Sequence, residues 1–436
     1  MNKTILLKHF QTILFSVVLI TSLSLLAACE KEQEVDKLRV IVSTDIGGTD
    51  PDDNQSMAHL LMYSDMFAWE GLLSSPSYGS GSKEEILRMI ELYRQDYARL
   101  LRHEPDLQHP DSLRALVKQG AKGAVGMKGY RDEPTEASQW LVQCARRQSE
   151  KPLWLLVWGG LDDVAQALHD APDIADKLRV YWIGGPNKKW SVNSYCYIVS
   201  HFPNLWMIEN NASYRGFIGN QNKKDDYNFH YYDKVIAGAG HLGEDFKQYY
   251  RGQLKMGDTP SLLYLMHGNP EDPQGESWGG SFEPIAYSAH RVFHRLTTEN
   301  DTVPVYGVVE LRLKGPKINQ PEGTPCLTLT IDRQTWDGYY LGEGEYMVRY
   351  APKAPARLPY SIQSSIKALD GLQGVLVVGN QWPGEPSADD WTLGSQWYSD
   401  KQSPELFEGK WQGCKTTSQY RQDVLDDWAK RWNWLK

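Results

Sequence analysis

Ser43-Thr44-Asp45-Ile46-Gly47-Gly48-Thr49-Asp50-Pro51-Asp52-Asp53-Asn54 joins an apolar run at 38–44 to an amphipathic stretch at 54–65. The first reads as a buried strand and the second as a helix, so the segment between them is a strand-to-helix turn of the kind that repeats in α/β folds. Gly47 and Gly48 allow that turn to be tight. Asp45, Asp50, Asp52 and Asp53 place four carboxylates in nine positions, where they repel one another. A hard cation relieves this, since calcium takes ~6–8 oxygen ligands from carboxylates and carbonyls in irregular geometry. Carboxylates at a helix N-terminus are also favoured by its dipole. On these residues alone the turn is either a cation site or a solvated, acid-capped helix start. Asp52 and Asp53 are adjacent, so their side chains diverge: one can hold metal while the other meets a ligand hydroxyl.

Outward from this turn the chain alternates apolar runs with amphipathic ones. Strands are predicted at 69–75, 151–158, 178–183 and 205–209, and helices at 84–101, 163–169, 245–254 and 259–266. That alternation implies βα units and an open, mainly parallel sheet flanked by helices, with ligands outside the carboxyl ends of the strands. The pattern changes after about residue 300. Short strand-like runs at 305–313, 326–331, 345–350 and 374–378, separated by Pro, Gly and Lys, imply a small β-sandwich. Residues 417–434 turn helical again, with Val424, Leu425, Trp428 and Trp432 on one face that must be buried somewhere. The β module is therefore an insertion at 301–381 in an α/β domain built from 38–300 and 382–436. No internal repeat or low-complexity segment appears.

The 436 residues are 41% hydrophobic and 23% charged, which excludes a disordered or collagenous chain. A net charge of -9 argues against nucleic acid as a partner. Sixteen Trp and 24 Tyr are compatible with sugar binding through flat aromatic faces, and equally with core packing. Lys3 and Lys8, a mostly apolar run at 13–26 and Leu26-Ala27-Ala28-Cys29 read as a secretory leader, residues 1–28. The run is short for a spanning helix, which needs ~20 apolar residues. Its end resembles the bacterial lipobox, in which the Cys becomes the lipidated first residue. Residues 29–37 are then a charged tether, and the expected location is the outer membrane or cell surface, anchored through Cys29. The remaining Cys144, Cys196, Cys326 and Cys414 form no CxxC pair, and a chain of this length does not need disulfides.

Val42-Ser43-Thr44-Asp45-Ile46-Gly47-Gly48 followed by Asp50-Pro51-Asp52-Asp53 resembles the signature of the nucleoside hydrolase superfamily. It is closer still to that superfamily's bacterial branch of nucleoside-hydrolase-like, cellulose-binding proteins. The resemblance continues in order through Trp158-Gly159-Gly160-Leu161, Ile183-Gly184-Gly185-Pro186-Asn187, Asn210-Asn211-Ala212-Ser213-Tyr214-Arg215-Gly216, Gly257-Asp258-Thr259-Pro260-Ser261 and Ser277-Trp278-Gly279-Gly280. It closes with Tyr420-Arg421 and Asp427-Trp428-Ala429-Lys430-Arg431-Trp432. The resemblance implies calcium held by Asp45, Asp53, the main-chain carbonyl of Trp158 and Asp258, with Asp52 on a sugar hydroxyl. It further implies that Asp45 takes a proton from a water attacking an anomeric carbon, with loss of the leaving group through an oxocarbenium-like state. Two departures stand out. The turn is longer between Asp45 and Asp52 than in nucleoside hydrolases, and Gly257 stands where they often place a His that protonates the leaving group.

Further candidates come from the residues themselves. Asn193, in the Gly-rich loop after the 178–183 strand, and Asn210 and Asn211, after the 205–209 strand, offer amides to sugar hydroxyls or cap their loops. Glu276 beside Trp278 is a candidate replacement acid, because an apolar neighbour raises a carboxyl pKa, and Trp278 is a candidate stacking surface. Arg215 braces acidic residues. His290 and His294, four apart in an expected helix, lack a metal-ligand signature, and neither a Gly-x-Ser-x-Gly motif nor a phosphate-binding loop is present. The expected function is calcium-assisted hydrolysis of an N- or O-glycosidic bond in an envelope-accessible saccharide or nucleoside. Non-catalytic binding of a cellulose-like glycan is the alternative.

Overall fold

In the computed structural model, residues 37–48, 51–218, 230–248 and 254–436 are described. Cys29, the leader and tether up to residue 36, and Asp50 lie outside them. The strands β1 (Arg39–Thr44), β2 (Ala68–Ser74), β3 (Val117–Lys118), β4 (Leu153–Val157), β5 (Leu178–Ile183), β6 (Met207–Asn210) and β7 (Phe282–Pro284) belong to one sheet. They are joined there by β18 (Trp397–Asp400), in the order β3–β2–β1–β4–β5–β6–β18–β7. Every pairing is parallel except β18 with β7. All residues of β1 and β4 are buried, as expected for parallel strands covered by helices on both faces. The order reverses at β1, with β2 and β3 to one side and β4 to β6 to the other, which opens a crevice beyond the carboxyl ends of β1 and β4.

The flanking helices follow local signals. Ser82 accepts the Glu85 N–H and starts Lys83–Leu100, and Thr135 with Ser138 forms a capping box before Glu136–Ala145. Asn193 lies in a helix, Val192–His201, and not in the loop expected there. The sequence Val192-Asn193-Ser194-Tyr195-Cys196-Tyr197-Ile198-Val199 has low helical propensity, but Tyr195, Cys196, Ile198 and Val199 are buried, and packing overrides propensity. The helix expected at 245–254 is not found in its described part: 245–248 are irregular and follow the short helix Gly240–Glu244, while 249–253 lie outside the described residues.

The second layer contains β8 (Tyr287–Ser288), β9 (His290–Phe293), β10 (Thr302–Pro304), β11 (Val308–Lys314), β12 (Pro325–Ile331), β13 (Gln334–Gly342), β14 (Glu345–Tyr350), β15 (Ala356–Ser364), β16 (Gln373–Gly379) and β17 (Trp391–Thr392). Its main sheet runs β10–β16–β15–β12–β13–β14–β11–β9, and β8 pairs with β17. The sandwich expected from sequence is one continuous sheet folded over itself. Val309, Leu329, Val348, Tyr360 and Leu376, from five of its strands, line a single small void. Two readings are corrected. His290 sits in a strand, stacked 4.0 Å from Trp391, because β9 pairs in parallel with β11. The β module therefore begins near residue 287, ahead of the boundary drawn at 301 from the change in composition.

The chain then returns to the α/β domain. β18 pairs with β6 in register Trp397↔Met207 and Ser399↔Glu209. The C-terminal helix Arg421–Asn433 covers the helix Asp52–Met62 and its exit. Trp428 meets His59 edge-on at 5.2 Å and stacks on Tyr231 at 6.0 Å. The Tyr63 hydroxyl donates to Asp427 at 2.6 Å, and Arg431 pairs with Asp65 at 2.5 Å. Cys144, Cys196, Cys326 and Cys414 are free thiols. Among the described residues no helix is long and apolar enough to cross a membrane.

Candidate functional site

Four chain segments meet at the crevice. Asp45 leaves the end of β1, Asp52 and Asp53 open the first helix, Trp158 follows β4, and Asp258 precedes the helix Thr259–Met266. Together they line a cavity of about 260 Å³ with Asn187, Tyr214, Arg215, Lys255 and Lys353. The turn after β1 works because Gly47 takes φ +93°, a conformation that side chains disfavour. Gly159 keeps the next loop close: a Cβ there would stand 2.9 Å from that of Asp45 and 2.7 Å from Ser75 Oγ.

Carboxylate oxygens of Asp52, Asp53 and Asp258 lie within 4.8 Å of one another. Asp53 is buried and accepts the Thr44 hydroxyl, which in turn accepts the Ile46 N–H at 3.1 Å. Asp258 is 3% exposed, and its Oδ2 has no hydrogen-bond partner. Burial, followed by the charges of Asp53, Asp52 and Asp45, holds the Asp258 carboxyl well above the usual range, with Lys255 opposing. Such a set, all oxygen and with one buried oxygen left over, has the donor chemistry for a hard cation. Lys255 Nζ pairs with Asp52 at 2.7 Å, so a fixed positive charge already meets the carboxylate at the cavity's edge. Gly257 makes room for this, since a Cβ at that position would lie 2.7 Å from Asp52 Oδ2.

The Trp158 carbonyl accepts the Asn187 amide at 2.7 Å, and that amide also reaches the Ile183 carbonyl at 3.0 Å. Ser77 donates to the Asn187 Oδ1 at 2.6 Å, so Asn187 ties the loops after β2, β4 and β5 together. The Trp158 indole donates to Ser261 Oγ at 2.7 Å, and Ser261 donates to the Asp258 carbonyl at 2.7 Å. This fixes Asp258 against β4.

The other sequence candidates lie elsewhere. Asn210 is buried, donating to the Tyr181 hydroxyl at 2.8 Å and accepting the Tyr214 N–H at 2.9 Å. Asn211 is buried, with its N–H on Asp400 and its amide on Glu209 at 2.7 Å. Glu209 itself is the buried partner of Lys188, Tyr195 and Trp397. Asn193 accepts Arg349 at 3.3 Å and borders a second, larger cleft. Glu276 is exposed and accepts the Tyr420 hydroxyl at 2.7 Å, while Trp278 stacks on His267 at 4.9 Å; neither lines the carboxylate cavity. Lys255, Lys353 and the tying role of Asn187 escape sequence reading, because their partners are distant in the chain.

Residues 39–282 match the family model for the cellulose-binding Sde182, nucleoside hydrolase-like domain, and residues 302–365 match a domain of unknown function, DUF5060. Comparison with curated protein sequences returned no match. Among solved structures, a nucleoside hydrolase-related protein from Saccharophagus degradans associated with carbohydrate metabolism is 17% identical over 79% of this chain and 99% of that one, with a TM-score of 0.49. The inosine-uridine preferring nucleoside hydrolase of Bacillus anthracis is 18% identical over 58% of this chain and 86% of its own, with a TM-score of 0.36. A purine-preferring ribonucleoside hydrolase from Gardnerella vaginalis is 13% identical over 58% and 84%, with a TM-score of 0.35. As the first family match spans more than half of the chain, the protein belongs to the cellulose-binding Sde182 family and carries its nucleoside hydrolase-like domain.

Proposed function

We propose that the protein hydrolyses a glycosidic bond, N- or O-linked, in an envelope-accessible saccharide or nucleoside, with calcium held by Asp45, Asp53, Asp258 and the Trp158 carbonyl. The observation that carries this is the buried, unpartnered Oδ2 of Asp258 beside two more carboxylates. An unsatisfied buried polar atom costs roughly 1–3 kcal/mol, more when charged, and a bound cation would remove the penalty. The Trp158 carbonyl keeps a second lone pair after accepting Asn187. Calcium bound there supplies charge compensation and orientation for sugar hydroxyls. Asp52, partly exposed in the cavity and steadied by Lys255, accepts a sugar hydroxyl. Asp45 takes the proton of a water attacking the anomeric carbon as the glycosidic bond breaks, the leaving group takes its proton from solvent, and the anionic walls favour the positive charge that develops on the ring.

Non-catalytic glycan binding is the second reading, and the placement of Glu276 supports it. Among the described residues, the cavity wall holds the four aspartates and no fifth carboxyl, with Gly257 at the place of the expected acid. The cellulose-binding description of the family points the same way. The leader 1–28, followed directly by Cys29, supports an envelope location, lipid-anchored in the outer membrane or at the cell surface. Chelator-stripped protein, titrated calorimetrically with calcium and then incubated with nucleosides and plant-wall oligosaccharides, tests both readings. Calcium-dependent release of free sugar supports hydrolysis. Calcium-dependent saccharide binding without release selects the second reading, and absence of calcium binding defeats hydrolysis and metal-dependent binding alike.

A further inference from the structure

We propose that the cleft between the α/β domain and the β module binds a linear oligosaccharide whose terminal ring enters the carboxylate cavity. This rests on the saccharide reading above and assigns the β module a part in it. The cleft measures about 890 Å³, and its wall shares Tyr78, Gly79 and Trp190 with the carboxylate cavity, so the two adjoin at these residues. Ligand pockets span roughly 300–1,000 Å³. A nucleoside or single sugar suits the inner cavity of about 260 Å³ and leaves the outer cleft unused, whereas a chain of rings fills both.

The walls have the chemistry of a saccharide site. Tyr78 is 52% exposed, an unusual placement for an aromatic side chain, and it stands 5.3 Å from the Trp190 ring at the junction of the two cavities. Trp336 adds an aromatic side chain from the β module. Such rings stack on the CH-rich faces of pyranoses, while the exposed Arg333 and Asp337 offer hydrogen bonds to hydroxyls.

The cleft is also held open by specific contacts. Asp332 and Arg333 form the two-residue turn between β12 and β13 with φ +49° and +62°, a turn that normally takes Asn-Gly. The turn projects the hairpin onto the helix Asn187–Trp190, where Gln334 Oε1 accepts Lys189 Nζ at 2.9 Å and the Trp190 indole at 3.0 Å. The Trp336 indole donates to the Lys189 carbonyl at 2.9 Å. The β module further contributes Lys353 to the carboxylate cavity itself.

Calorimetry of the full chain with linear gluco-, xylo- and manno-oligosaccharides, from one ring to six, tests the assignment. In at least one series affinity should rise about tenfold or more from the shortest to the longest member. Trp336→Ala should remove that gain. Arg333→Gly, which suits the turn and leaves folding intact, should reduce it. Affinity independent of length in all three series, or a gain untouched by both substitutions, overturns the cleft. Asp53→Ala separates this from the metal reading: length-dependent binding that persists in that variant without any calcium response keeps the cleft and removes the metal site.

Discussion

Asp45 and Asp53 both face the cavity, but they stand on different supports. Asp45 follows a strand and has its room from the missing side chain of Gly159, whereas Asp53 opens a helix with the Thr44 hydroxyl on one oxygen. Asp53→Ala therefore removes a metal ligand outright. Calcium should raise the melting temperature of the wild type, since at a concentration of ~100 Kd a native-state ligand stabilises by about 2.7 kcal/mol. Scanning calorimetry of Asp53→Ala should register no such rise. Asp45→Asn keeps an oxygen ligand and loses the base, so turnover should fall by ~10²-fold or more while calcium affinity changes less. Equal losses in both would assign Asp45 to the metal alone. Asp45, Asp52 and Asp53 were legible because their charges cluster locally in sequence, whereas Asp258, distant in the chain, was reached only through the family resemblance. Lys255, which pairs with Asp52, was not legible, because the fold alone brings the two together. Asn210 and Asn211 were visible as amides at a strand end, but their commitment to Tyr181, Glu209 and Asp400 depends on residues remote in sequence, which no local pattern announces.

Elements were readable where burial imposed a period. β1, β4 and β5 are apolar runs because both faces are covered, and Lys83–Leu100 carries a helical stripe. β18 was missed because Trp397-Tyr398-Ser399-Asp400 becomes a strand through pairing with β6, an interaction with no local signature. The C-terminal helix was readable from its aromatic face, and the structure adds a titratable group beneath it. His59, pressed against Trp428 and Tyr63 with Arg431 and Asp427 nearby, is pushed down to about 3, first by burial and then by Arg431. The folded state thus binds this proton less readily than the unfolded chain. His59 contributes stability that is fully present above its ordinary value near 6.5 and is lost as pH falls toward 3. Within that window the loss should approach ~1.4 kcal/mol per pH unit. Urea midpoints measured at pH 7, 5.5 and 4 should decline more steeply for wild type than for His59→Phe. Parallel curves for the two proteins would contradict a neutral, buried His59.

The whole chain combines three parts whose dependence on one another is unequal. The proposed anchor acts through one residue: Cys29→Ser should move the protein from the membrane fraction to the soluble one, and unchanged partitioning would remove the lipid attachment. The β module and the C-terminal segment pose a harder question, because the chain leaves the α/β domain after β7 and returns to it only with β18. A chain ending at residue 380 retains β1 to β7 and the complete folded-over sheet of the module, so its termination looks harmless by length alone. It nevertheless loses β18, which separates β6 from β7, and Asp400, whose carboxylate accepts the N–H groups of Asn211, Ala212 and Ser213. It also uncovers His59 and Tyr231 by removing Trp428, a side chain whose replacement by Ala in a core typically costs ~3–5 kcal/mol on its own. Domains hold a net stability of only about 5–15 kcal/mol, so these losses together exceed what the α/β domain can tolerate. The shortened chain should therefore lack a cooperative thermal transition of the α/β domain and show no calcium response, while the β module retains its own strand signal in circular dichroism. A native-like transition in that chain would mean that β18 and the last helix dock onto a domain already complete without them.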